Sequence, residues 1–341
     1  MSIQLPQIDG AQDEGKLVDR FGRKHNNLRI SVTDRCNLRC TYCMPEEVEF
    51  LKRSALLTYE QITTFVGLAS TQGINKVRLT GGEPLLRRDL PRLVAMLKQV
   101  KGIDDLGLTT NGLLLSAMAK PLFDAGLQRI NISLDTLNPD TFKQLTRREG
   151  LDLVLQGIEA AQQAGFNPVK INAVSIRGVT DREAVPLAQF ARANDLELRF
   201  IEYMPIGADA WERSKVYFAH EIIAQLEEAI APLMPASDYD HRNPSMDFQY
   251  ADGKGRVGFI ASISRPFCHQ CNRIRLTAEG KLRNCLFSLQ EFDVKPFLTQ
   301  AGHEAALLEV IHKCVQDKWE GHEINTSRFI KPTRNMHAIG G

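Results

Sequence analysis

The chain has 341 residues, 43% hydrophobic and 24% charged, enough for one large α/β domain with a smaller appendage and ordinary for a soluble protein. Its 42 Lys and Arg nearly balance 41 Asp and Glu, so a net charge of +1 excludes a general attraction to nucleic acid, and any anionic ligand must be met by a local patch. No apolar run approaches the roughly 18 residues needed to span a bilayer, and seven cysteines with no export signal point to reduced thiols in the cytoplasm.

Residues 1–25 are polar, carry Gly10, Gly15 and Gly22, show no sustained period and read as a loose N-terminal arm. Residues 28–32 predict a strand, and the loop after it holds Cys36, Cys40 and Cys43. Residues 57–72 have helical spacing, with Thr58 as N-cap and Gln61 three residues on. Strand-like and helix-like stretches then alternate: strand 76–80 and helix 89–100, strand 106–110 and helix 113–125, strand 129–134 and helix 151–165. Strand 169–174, helix 181–193 and strand 196–201 continue the series. Strands separated by helices run parallel, and right-handed crossovers curl the sheet. Six units fall short of the eight of a closed barrel. A flat doubly wound sheet would show the same periodicity. Either way a ligand site belongs at the C-terminal edge of the strands, where the three cysteines lie. Beyond 203 the rhythm breaks into a loop at 204–207, a helix over 218–230, a Pro- and Asp-bearing connection over 231–244, and residues 255–277 that alternate like antiparallel strands.

Four thiolates would close a tetrahedral metal site, whereas three on one tight loop leave a position open, as iron–sulfur chemistry with an external ligand requires. Half of a structural zinc site is the alternative reading. The C-x3-C-x2-C spacing, with Tyr42 before the third cysteine, resembles the radical S-adenosylmethionine (SAM) signature. That resemblance implies that Cys36, Cys40 and Cys43 hold a [4Fe–4S] cluster whose fourth iron is bound by SAM. The second strand ends in Thr-Gly-Gly-Glu-Pro at 80–84, where glycines let the backbone approach a ligand and Glu83 can accept from an ammonium group. This turn resembles the GGEP element of the same superfamily.

The other strand ends are polar for a buried parallel sheet: Thr109 to Asn111, Asn131 and Ser133, Lys170 and Asn172, Arg199 and Glu202. Such a set suits a polar barrel lumen, and residues two apart share a face. Cys268 and Cys271, with Cys285 further on, form a second trio. A zinc knuckle with His269 as fourth ligand is the alternative, although that ring would have to fold back on the metal. Arg273 and Arg275 follow on one strand face, where two guanidiniums repel unless an anion lies between them.

Taken together, Arg29, the Thr-Asp-Arg-Cys run ending at Cys36, the Gly-Gly-Glu-Pro turn, the Cys268 to Arg275 segment, Cys285 and the terminal Gly340-Gly341 resemble the molybdenum-cofactor biosynthesis protein A family of GTP 3',8-cyclases. The resemblance runs from about residue 25 to the end. It implies an incomplete (β/α)6 TIM-like barrel, the radical SAM core, over 26–230, after the arm 1–25. A smaller C-terminal α+β domain over 231–341 would carry the second [4Fe–4S] cluster and the diglycine tail. It implies a lyase of molybdenum cofactor biosynthesis that turns GTP into 3',8-cyclo-7,8-dihydro-GTP. Tyr42, Gly82, Glu83, Ser133 and Met204 would surround SAM, and Arg29, Arg78, Thr109, Lys170, Arg273, Ile274 and Arg275 would bind GTP, with Lys76 and Arg199 facing the triphosphate. Cys268, Cys271 and Cys285 would hold the second cluster, and Cys36, Cys40 and Cys43 with Arg273 and Arg275 would form the catalytic machinery. The resemblance further implies an external one-electron donor of flavodoxin or ferredoxin type, a downstream cyclic pyranopterin monophosphate synthase, and compatibility with a homodimer. A peptide-modifying radical SAM enzyme would share the cysteines without needing Arg273, Arg275 and the diglycine; a zinc-binding interaction protein would share only cysteine counts. Cys314, at helical spacing with Leu307, Val310 and Ile311, reads as a buried structural thiol.

Overall fold

A computed structural model describes residues 16–207, 210–238, 244–299 and 302–340. Its first half is the expected alternation: β1 (Asn27–Ser31), α1 (Tyr59–Thr71), β2 (Lys76–Thr80), α2 (Leu90–Lys98), β3 (Asp105–Thr110), α3 (Leu115–Asp124) and β4 (Arg129–Ser133). Two helices follow, α4 (Pro139–Thr146) and α5 (Leu151–Ala164), then β5 (Lys170–Ser175), α6 (Thr180–Ala193), β6 (Glu197–Glu202) and α7 (Ala219–Ala229). Thr58 and Gln61 do form a capping box at α1. The short α4 has no counterpart in the sequence reading; Asn138 caps it by accepting from Thr141 N at 2.9 Å.

The last third adds β7 (Leu233–Pro235), β8 (Met246–Tyr250), β9 (Arg256–Ile260), β10 (Arg273–Leu276), β11 (Lys281–Arg283), β12 (Phe292–Asp293), α8 (Glu304–Gln316) and α9 (Met336–Ile339). All twelve strands join one sheet in the order β12-β11-β10-β1-β2-β3-β4-β5-β6-β9-β8-β7. β1 to β6 sit in chain order without the reversal that defines a doubly wound sheet, so the parallel core is an open stretch of barrel.

The expectation of antiparallel strands over 255–277 needs correcting. β9 runs parallel to β6 and β10 parallel to β1; antiparallel pairing appears only outward of them, β8 on β9 and β11 on β10. The physical reason is the open core itself. Its two edge strands would present bare N–H and C=O groups, and the returning chain covers both. Residues beyond 230 therefore extend the core sheet rather than build a separate one.

Alternation along each strand sorts the side chains. Leu28, Ile30, Val77, Leu79, Leu106, Leu108, Ile130, Ile132, Ile171 and Leu198 are buried in one apolar core with residues of the helices. Each fully buried side chain of this kind contributes about 2 kcal/mol. Their neighbours Arg29, Arg78, Thr109, Asn131, Lys170 and Arg199 take the other face. Cys314 is buried in α8, a free structural thiol as expected.

The N-terminal reading also changes. Residues 1–15 lie outside the described residues, but 16–25 are packed rather than loose: Leu17 is in the core, Val18 bridges Lys24, and Asp19 accepts from Arg23 Nε at 2.6 Å. His25 is buried here, and burial, with Lys318 nearby, pushes its pKa down to about 3. The ring stays neutral in the fold while the unfolded chain takes a proton below its ordinary 6.5. Stability is therefore full above pH 6.5 and is lost as pH falls toward 3, by up to about 1.4 kcal/mol per pH unit. His25→Phe is expected to flatten that part of the stability–pH curve, measured by urea unfolding of the metal-free chain between pH 4 and 7.

Candidate active site

The first trio lies on the loop after β1, all three thiols free and part-buried. Backbone bonds fix the loop on both flanks: Arg39 N and Thr41 N donate to Thr146 O and Leu145 O, and Cys43 N to Cys40 O at 3.0 Å. Thus α4 holds the cysteine loop. Asn111, at the end of β3, donates to Asn37 Oδ1 at 2.7 Å and reaches Cys36 Sγ at 3.8 Å. Burial pushes the thiol of Cys36 up to about 11 and that of Cys43, with Cys36 beside it, up to about 12; burial also raises Cys40. Without a cation the sulfurs resist ionisation, so the loop holds three thiolates only when a metal group supplies positive charge.

The glycine turn after β2 serves this loop. A Cβ on Gly82 would lie 2.4 Å from Arg35 O, and on Gly81 2.4 Å from Thr33 O. Gly82 N and Glu83 N donate to Thr33 O and Arg35 O at 2.8 and 2.7 Å. The backbone that approaches so closely is the lead-in to Cys36. Glu83 is buried, accepting from Leu85 N, Thr110 Oγ1 and Asn111 N at 2.7–2.9 Å. Burial raises its carboxyl to about 7. It staples β2 to the end of β3, so its first service is to the fold. Tyr42 donates to Asp135, whose other oxygen accepts from Val174 N at 2.8 Å, tying the loop to the ends of β4 and β5. Ser133 ends β4, and Met204 follows β6 beside the small apolar cluster of Ile206 and Ile339.

The second trio sits at the other end. Because β10 runs parallel to β1, Cys271 stands before the start of that pair while Cys36 stands beyond its end, about 16 Å of strand apart. β11 runs antiparallel and returns Cys285 toward Cys271. His269 is exposed. Burial raises Cys268, and at Cys271 burial is outweighed by Arg273 and Lys318, which bring its thiol down to about 5. Among the described residues no three His, Cys, Asp or Glu side chains converge tightly enough to share a single metal ion.

Between the trios runs a row of guanidiniums. Arg275, Arg29 and Arg78 pair side by side on β10, β1 and β2, with Arg273 one step back on the same face. Burial first, then mutual repulsion, depresses Arg29 well below its ordinary value and Arg275 to about 9; burial and Arg129 bring Arg78 to about 10. Arg78 Nη1, Asn131 Oδ1 and Asn172 Oδ1 are buried without a hydrogen-bond partner. Buried positive charge and unpaired polar atoms on one strand face fit a bound polyanion. Gly107 faces Arg78, and a Cβ there would lie 3.2 Å from the guanidinium.

The remaining predicted contacts divide. Thr109 lies opposite Asn131 on the lumen side. Lys170 is paired with Glu197, and Arg199 lies 3.8 Å from that carboxylate and 3.7 Å from Asp247, so part of this charge is neutralised within the fold. Lys76 pairs with Asn27 and Asp105 in the strand register. Ile274 turns its side chain into the apolar core, fully buried, so its backbone is the part left for a ligand. Sequence reasoning passed over Asp135 and Gly107, and it gave Asn111 and Glu202 only as polar strand ends. Polarity at strand ends was the available signal for all but Gly107, and their partners across the chain lie 17 or more residues away.

Gly340 follows α9 and brings the tail into this row. Its carbonyl accepts from Arg275 Nη1 at 2.5 Å, its φ is +87°, and a Cβ would lie 2.5 Å from Thr80 Oγ1. Gly341 lies outside the described residues. Gly340→Ala is expected to displace the tail and weaken GTP binding about tenfold, the loss of one charge-assisted hydrogen bond, read by equilibrium dialysis.

Comparison with known proteins agrees with this layout. Residues 30–191 match the radical SAM superfamily, and residues 196–324 match the domain described as Molybdenum Cofactor Synthesis C. A GTP 3',8-cyclase of Rhodopirellula baltica is 46% identical over 345 residues, covering 100% of this chain and 96% of that protein. One from Acidothermus cellulolyticus is 48% identical over 312 residues, covering 89% and 85%. The crystal structure of Streptococcus suis SuiB bound to S-adenosylmethionine shares the fold, with a TM-score of 0.63 at 14% identity over 86% of this chain and 68% of that one. With both domain types in order and identity sustained from end to end, the chain belongs to the GTP 3',8-cyclase family.

Proposed function

We propose that this chain converts GTP to 3',8-cyclo-7,8-dihydro-GTP, an early step of molybdenum cofactor synthesis, with the lumen between the two cysteine trios as its active site. The observation that carries the reading is the row of Arg29, Arg78, Arg273 and Arg275, with an unpartnered buried Nη1 on Arg78. A triphosphate brings about four negative charges, and a chain of net charge +1 needs several cations focused in one cavity to hold it. Cys36, Cys40 and Cys43 would hold a [4Fe–4S] cluster, with SAM beside Tyr42, Gly82, Glu83, Ser133 and Met204; Cys268, Cys271 and Cys285 would hold a second. When bound, these groups supply one-electron cleavage of SAM and hydrogen abstraction from the ribose.

The chain's own residues do the rest. The guanidiniums, with Thr109 and the backbone at Ile274, bind and orient the nucleotide, so a reactive radical is made against its target. The tail at Gly340 and the apolar cluster of Ile206, Ile263 and Ile339 exclude water from one side. Glu83 and Asp135 keep the cysteine loop in register with β3, β4 and β5. A peptide substrate gives the guanidinium row no task, and neither does a zinc-binding interaction protein. Among the described residues no helix is long and apolar enough to cross a membrane. We further assign a cytoplasmic location, an external one-electron donor of flavodoxin or ferredoxin type, delivery of product to a cyclic pyranopterin monophosphate synthase, and a division of labour at about residue 230.

The test is anaerobic incubation of the iron-loaded protein with SAM, a reductant and GTP, followed by mass analysis. 5'-Deoxyadenosine with a nucleotide isomeric with GTP is expected; 5'-deoxyadenosine with unchanged GTP sinks the reading. Arg78→Ala is expected to raise the Kd for GTP about tenfold to a hundredfold, since a charge-assisted contact contributes about 1.5–3 kcal/mol, as measured by calorimetry.

A further inference from the structure

We propose that Lys318 is a positioning residue for the second trio: its buried ammonium supplies the fixed positive charge that retains a negatively charged iron–sulfur group on Cys268, Cys271 and Cys285. Lys318 lies just past the end of α8 and is 3% exposed. Its Nζ donates to Cys271 Sγ at 3.5 Å and to Arg273 O at 2.8 Å. Burial lowers the pKa of its ammonium; Cys271 and Cys285 counter that effect, while Arg23 and Arg273 add to it. Among the described residues it has no carboxylate ion pair, so its counter-charge is sulfur.

Its placement is fixed by an element that otherwise looks remote. Arg23, from the N-terminal segment, donates through Nη1 to Cys268 O and Glu320 O at 2.7 Å and through Nη2 to Trp319 O at 2.6 Å, while Asp19 holds its Nε. Gly321 completes the contact: a Cβ on it would lie 3.4 Å from Cys268 Cβ. The segment 318–321 is thereby clamped to the Cys268 loop. Three thiolates and an oxidised [4Fe–4S] core carry one net negative charge, and taking up one electron makes it two. A fixed cation at contact distance favours retention of the group and favours its reduced form more. This inference rests on the trio holding such a cluster.

Full-length protein reconstituted anaerobically provides the test, by iron and sulfide analysis and by redox titration followed with electron paramagnetic resonance. The unaltered chain is expected to hold about eight irons. Lys318→Gln is expected to fall toward about four, or to keep the second cluster with its midpoint potential moved to a more negative value; Lys318→Arg keeps both iron and potential. A second measurement reads stability instead of iron. In a chain with Cys268, Cys271 and Cys285 all replaced by alanine, Lys318→Met is expected to raise the thermal midpoint, because the ammonium has lost its counter-charge, whereas in the loaded cysteine-bearing chain it lowers it. About eight irons with unchanged potential in Lys318→Gln, or a midpoint lowered equally in both backgrounds, overturns the inference alone. About four irons in the unaltered chain overturns the cluster reading and the inference with it.

Discussion

Cys40→Ala is expected to abolish nucleotide turnover, to less than about a thousandth, and to lower iron from about eight to about four per chain. The thermal midpoint of the metal-free protein should move by only a few degrees. The expectation follows from what holds the loop. Thr41 N and Arg39 N are bonded to the end of α4, and Thr33 O and Arg35 O to the glycine turn, so the backbone stays placed when one sulfur is removed. In the metal-free fold the Cys40 thiol is buried and resists ionisation, so the fold does not depend on its charge. With only Cys36 and Cys43 left, the first cluster loses a third of its protein ligands. Full iron with full turnover in the variant would remove Cys40 from the site.

Glu202→Ala carries the largest expected loss of stability. Glu202 ends β6 and is 1% exposed. One carboxylate oxygen accepts from Ala219 N at 3.1 Å and Ser264 Oγ at 2.5 Å; the other accepts from Ile263 N at 2.8 Å and Ser264 N at 2.7 Å. A single side chain thus joins the last core strand, the first turn of α7 and the loop after β9. It also places negative charge at the α7 N-terminus, where Phe218 provides no side-chain cap. Removing it leaves the buried N–H groups of Ala219 and Ile263 unpaired, each costing about 1–3 kcal/mol, and frees that of the exposed Ser264, so a total loss of roughly 4 kcal/mol is expected. Glu202→Gln retains one acceptor but turns an amide donor toward those same N–H groups, and most of the loss should persist. Chemical unfolding of the metal-free chain measures both, and a loss under 1 kcal/mol for the alanine variant would contradict the account.

What could be seen in the sequence was what repeats or clusters locally. Period-two and period-3.6 patterns located β1 to β6 and most of their helices to within two or three residues, because each buries one face against the same core. The cysteine spacings and the Arg273 and Arg275 pair were legible for the same reason: their partners lie within a few residues. What escaped depends on contacts across the chain. Arg23 meets Cys268 from 245 residues away, so 16–25 read as loose. The parallel pairing of β10 with β1 is likewise invisible to alternation, which is identical in parallel and antiparallel strands. Gly81 and Gly82 were legible as glycines that need close approach, but not as glycines that approach the cysteine loop. At Ile274 alternation turns the side chain inward, which leaves the backbone as the part that can meet a ligand.

The pairing of β10 on β1 has a consequence for how the chain is made. Asn272 bonds Asn26 across 246 positions, so β1 leaves the ribosome long before its outer neighbour exists. At 5–20 residues per second, the wait is about 12–50 seconds. Throughout it the nascent β1 has an uncovered edge, and Arg29 lacks Arg275 beside it. The second trio is complete only once Cys285 has been made, 242 residues after Cys43 completes the first.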